Sequence, residues 1–167
     1  MKSRASVVVL LAMAVLLPLS HLELEAADDS WLLLVDGRPV DVAGWASDQY
    51  AALTRDCAHV KTLQAGDRLY GDALAALRQH SPPDSLSAQL LGLNQEGEWL
   101  LALVQFSRLQ NAVALLRASG QGVALAEGGV WSGSTHPHRP EPLIRRYLHS
   151  RVPGVPGDLM ACWRSPF

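Results

Sequence analysis

The stretch SAQLLGLNQEGEWLLALVQFSRLQNAVALLRASGQGVALAEGGVWSGST, residues 87–135, decides the fold. Three runs with strand character lie in it, at 87–93, 98–106 and 111–117. A fourth, 122–126, leads through Gly128-Gly129 to Val130-Trp131. The breaks are short and carry turn residues: Asn94 to Gly97, Ser107 to Gln110, and Ala118 to Gly122. Short apolar runs separated by a few turn residues are the signature of an antiparallel meander. Residues 98–106 are apolar at both alternations, with Trp99, Leu101 and Leu103 on one side and Leu100, Ala102, Val104 and Phe106 on the other. Such a strand is covered on both faces, which predicts a central position, the second face meeting helices or another subunit. A helix over 107–118 competes, since Leu109, Ala112, Val113 and Leu116 also follow helical spacing behind Ser107. Asn111 and the Ser-Gly-Gln-Gly turn favour the strand.

Upstream, two helices are expected. Residues 31–35 form a β-favouring run closed by Asp36-Gly37, and 39–42 return as a short arm whose Pro39 suits an edge. From Gly44 the period turns helical. Tyr50, Leu53, Cys57 and Val60 define the buried stripe of a helix over 45–59, which leaves Asp48, Arg55 and Asp56 outside. A second helix over 70–80 carries Leu69, Leu74 and Leu77 and ends at Pro82-Pro83. Downstream, the polar loop from Ser132 to Pro142 leads into a C-terminal helix over 143–152. There Leu143, Tyr147 and Leu148 face in, while Arg145, Arg146, His149 and Arg151 face solvent. A last turn over 158–163 carries Cys162.

The expected architecture is therefore α+β: two N-terminal helices, a four-stranded antiparallel β-meander and a C-terminal helix. The arrangement resembles small cone-like or cystatin-like folds, a likeness of layout alone.

The N-terminus points to export. Lys2 and Arg4 precede an apolar run over 5–19, and small residues follow at Ala26-Ala27. The run is shorter than the roughly 20 residues of a bilayer span. Residues 1–26 are thus expected to be a signal peptide, or else a signal anchor holding the domain outside the membrane. Residues 27–167 then form a single α+β domain. The formal net charge of −2 gives no general attraction to nucleic acid or anionic lipid. In an oxidising compartment the two cysteines, Cys57 and Cys162, are expected to pair.

Candidates for chemistry are sparse. His136 and His138 lie two apart, and Cys57-Ala58-His59 offers a sulfur–nitrogen pair, but neither spacing matches a closed zinc motif. Ser132 and Ser134 sit near these histidines without the Gly-x-Ser-x-Gly elbow of a hydrolase. Asp67, Arg68, His80, Glu98 and Glu127 could serve acid–base work, yet spacing joins none of them. The reading that follows is a non-enzymatic, periplasmic accessory domain of the bacterial cell envelope that acts by binding another envelope protein, a second copy of itself included. The binding residues are expected at Trp131, His136, His138, Arg139, Arg145 and Arg146. No cofactor and no nucleic acid enter this reading, and the membrane enters only through an uncleaved N-terminal segment. The alternatives are a small-molecule or lyase-type pocket of cone-like fold and a His/Cys metal-binding protein.

Overall fold

The computed structural model describes residues 21–27, 30–133 and 140–164. They form two antiparallel sheets and four α-helices. The first sheet has three strands, β1 (Leu22–Ala27), β2 (Ser30–Val35) and β3 (Arg38–Val40), in that spatial order. Helix α1 (Val42–Thr54) follows directly, then β4 (Lys61–Thr62) and α2 (Arg68–His80). The meander is β5 (Gln89–Glu96), β6 (Trp99–Gln105), β7 (Ala112–Ser119) and β8 (Gly122–Ser132). Helices α3 (Glu141–Arg151) and α4 (Gly157–Ala161) close the chain.

The meander is as expected, with a fifth strand added at its edge. The short β4 pairs with β5, Lys61 opposite Gln95 and Thr62 opposite Asn94, giving the order β4-β5-β6-β7-β8. Two polar residues are too short a run to register as a strand in the sequence. Residues 112–119 form a strand, with Leu101 opposite Leu115 and Val104 opposite Ala112, so the competing helix is excluded. What reads as a break at Gly128-Gly129 is a bulge inside one long strand. Gly128 has φ +69°, and a Cβ on Gly129 would lie 2.9 Å from the Ala126 carbonyl oxygen and 3.2 Å from Leu115 Cβ. The pairing between β7 and β8 shifts at this level, between Ala114 and Leu116.

β6 occupies the middle of the sheet, and six of its seven residues are buried. Trp99, Leu101 and Leu103 pack with Val113, Leu115 and Trp131, and with Ile144 and Leu148 of α3, Leu159 and Met160 of α4, and Trp163. Leu100, Ala102 and Val104 pack on the other side with Leu93 and Leu116 and with Ala73 and Leu77 of α2. Helices thus pack on both faces of the sheet centre.

At the hairpin end Arg117 donates to Glu98 at 2.6 Å and stacks over the Trp99 ring at 5.5 Å. The hydrogen bond from Arg117 holds the Glu98 carboxyl below its ordinary value. A lowered folded value means the contribution is present above the unfolded carboxylate range and is lost as pH falls through the folded value. Glu98→Gln should therefore flatten the acid side of the melting-temperature profile, a small effect because the pair is exposed. Thermal unfolding from neutral pH to about pH 3, spanning the carboxylate range, checks this. Leu100→Ala and Leu101→Ala should each cost about 2–5 kcal/mol in denaturant unfolding, because both faces are packed. A loss confined to one of them would mean an open face.

Candidate functional site

Helix α1 lies opposite to the expected way round. Val42, Trp45, Tyr50 and Leu53 share one side of the helix and point to solvent, Tyr50 at 71% and Leu53 at 87% exposure. The polar side faces α3. Asp41, buried at the N-cap, accepts from the Gly44 amide at 2.7 Å and from Arg146 Nη2 at 2.8 Å. Asp48 accepts from Arg145 Nη2, and Arg164 Nη1 approaches its second oxygen at 3.4 Å. Gly44 makes the approach possible, since a Cβ there would fall 2.6 Å from Pro142 Cβ. Its place on the polar side therefore sets how closely the two helices meet.

Arg145 and Arg146, expected on a solvated basic face, are instead partly buried anchors for α1. Burial pushes the Arg145 guanidinium below its ordinary value, and Asp48 beside it opposes that shift. A cleft of about 250 Å³ lies between α1, α3 and α4, edged by Asp48, Arg145, Arg146 and His149. Asp41 and Asp48 are both engaged by guanidinium groups. The geometry is that of an ion-paired latch rather than an acid–base pair.

Cys57 and Cys162 form a disulfide across 105 residues of chain, joining the segment after α1 to the end of α4. Helix α1 stops at Thr54, so Cys57 lies beyond it and is exposed rather than on a buried stripe. The bond removes the sulfur from the Cys57–His59 pair as a metal ligand. Among the described residues no group of three His, Cys, Asp or Glu side chains is placed to hold a metal ion. Trp131, expected at a binding loop, is only 3% exposed and belongs to the core beneath α3. His136, His138, Arg139 and Ser134 lie outside the described residues. Ser132 donates to the Asn111 carbonyl oxygen at 3.5 Å. Asp67 accepts from the Gln64 amide at 2.7 Å, Arg68 lies 3.9 Å from Asp72 and Glu98 is paired with Arg117, so these three acid–base candidates have separate local partners.

A second surface was not visible in the sequence. Directly paired residues share a sheet face, and the register Leu22↔Val35, Leu24↔Leu33, Ala26↔Trp31 and Leu33↔Val40 puts all of these on one side of β1-β2-β3. Trp31 is 67% and Leu24 70% exposed, with Leu22 and Val35 also open. The opposite face carries the fully buried Leu32. Strand β1 comes from residues that read as the end of the leader, which hid it. Pro39 does sit on an edge strand, and Asp36 and Gly37 take positive φ in the turn before it. Among the described residues no helix is long and apolar enough to cross a membrane.

Compared with family models, curated proteins and solved structures, the chain matches none.

If the latch orients α1, Asp48→Ala should cost about 3 kcal/mol or more by leaving Arg145 buried and unpaired. The double change Asp48→Ala with Arg145→Met should recover most of that loss. Denaturant unfolding of both variants checks this, and a loss below about 1 kcal/mol for the single change would refute the latch.

Proposed function

We infer that this protein is a non-enzymatic, exported accessory domain of the bacterial cell envelope that acts by binding another protein. The observation that carries the reading is the open apolar face of β1-β2-β3, on which Leu24 and Trp31 are the most exposed large side chains. Solvated apolar faces of this kind are uncommon on monomeric domains and mark interaction surfaces. Two features support it. The large apolar side chains of α1, Val42, Trp45, Tyr50 and Leu53, point to solvent, and aromatic residues of this type anchor protein interfaces. The disulfide fits an oxidising compartment, in line with the export signal. Participation of Leu22–Ala27 in the sheet favours a mature domain that keeps these residues. The partner covers the apolar face, leaving the meander as a rigid support behind it.

Photo-crosslinking in bacterial cells tests this, with p-benzoylphenylalanine placed singly at Leu24, Trp31, Tyr50 and, as control, Gln121. A discrete adduct with a second envelope protein is expected at Leu24 and Trp31 and not at Gln121. Equal or absent adducts at all four positions would overturn the reading. An adduct only of twice the chain's own mass would replace the outside partner with a second copy.

A further inference from the structure

We propose a second binding site, for a single-chain amphiphile, in a cavity between the C-terminal end of α2 and the meander. The cavity holds about 350 Å³, within the range of roughly 300–1,000 Å³ typical of small-molecule sites. It is built from elements other than the N-terminal sheet and α1, and goes beyond the protein-binding reading.

Its origin lies in the alternation of the strands. On the face beneath α3 and α4, β7 and β8 place Val113, Leu115 and Trp131, and the helices fill the space above them. On the α2 face the neighbouring positions are Ala112 and Ala114, opposite Val104 and Ala102 of β6. Two alanines side by side along the strand leave the layer one side chain thin. Helix α2 covers part of it through Ala73 and Leu77, then ends at His80. Among the described residues the part that α2 leaves is the cavity, floored by Val104, Ala112, Ala114, Leu125 and Val130 and walled by Phe106.

The lining is divided. Apolar side chains form the floor, while the polar lining residues His80, Ser81, Gln110 and Ser132 are solvent-exposed. Ser85, also in the lining, is already satisfied, donating to the Arg78 carbonyl at 2.7 Å and accepting from the Ser81 amide at 3.2 Å. His80 closes the last turn of α2, beside Ser81 at the mouth of the cavity. An apolar tail therefore fits over the two alanines, with a polar head at His80 and Ser81. An aromatic or polar ligand without a tail leaves the floor unfilled. Apolar cavities of about 150 Å³ already hold molecules the size of benzene, so the volume suffices for an alkyl chain.

Methyl NMR on the full chain in phospholipid nanodiscs, titrated with decanoate, tests the site. Saturable shifts are expected at the methyls of Ala112, Ala114, Leu125 and Val130, and not at Val113 and Leu115 on the opposite face. Ala114→Leu should weaken decanoate binding at least tenfold by occupying the floor. If that variant does not fold, Ala112→Val, which adds less volume, should weaken binding in the same direction. Trp31→Ser should leave the titration unchanged, which separates this site from the protein-binding face. The proposal fails if no saturable shift appears, if shifts centre on Leu24 or on Val113, or if a folded, cavity-filled variant binds as the native chain does.

Discussion

Strand β6 is apolar on both sides, and burying both sides is the constraint from which the remaining architecture follows. A strand of this kind is stable only in the middle of a sheet with a layer on each face. Here α2 supplies one layer, and α3 with α4 supplies the other. Once these are in place, β6 is buried on both sides along six of its seven residues. Helix α1 then meets the body of the protein through α3 and α4, and its contact with α3 is built on ion pairs.

The polar contact explains the orientation of α1. Asp41 and Asp48 on one side of the helix meet Arg146 and Arg145 of α3, with Gly44 allowing the backbone to approach Pro142. Turning the helix about its axis would put its apolar side against α3 but leave two guanidinium groups and a buried carboxylate without partners. Unpaired buried charges cost more than one exposed apolar stripe returns. Val42, Trp45, Tyr50 and Leu53 therefore remain outside. Close to them in the chain, the first sheet shows the same division, with Leu32 buried and the Leu24–Trp31 side open. The N-terminal part of the molecule is thus organised around surfaces that the rest of the chain does not satisfy.

Much of the fold was legible in local pattern. The alternation in β6, the glycine turns of the meander, the Pro-marked start of α3 and the pairing of Cys57 with Cys162 are all readable along the chain. The candidate site was less so. Arg145 and Arg146 read along the chain as a basic face, yet their partners Asp48 and Asp41 lie about a hundred residues earlier, as the pair separations of 97 and 105 show. Trp131 carried the signal of a loop anchor, but the bulge at Gly128-Gly129 extends β8 through it and turns it into the core. The first strand was hidden because Leu22–Ala27 overlaps a segment with the composition of a leader.

What the sequence determined by itself was the set of amphipathic elements and the doubly apolar strand, since periods of two and 3.6 residues are local properties. Only the tertiary structure decided which face of each element is covered. Periodicity shows that a helix has an apolar side, but coverage depends on what remains unoccupied after the central sheet has taken its two layers. The exposed side of α1 and the space above Ala112 and Ala114 are both consequences of that allocation.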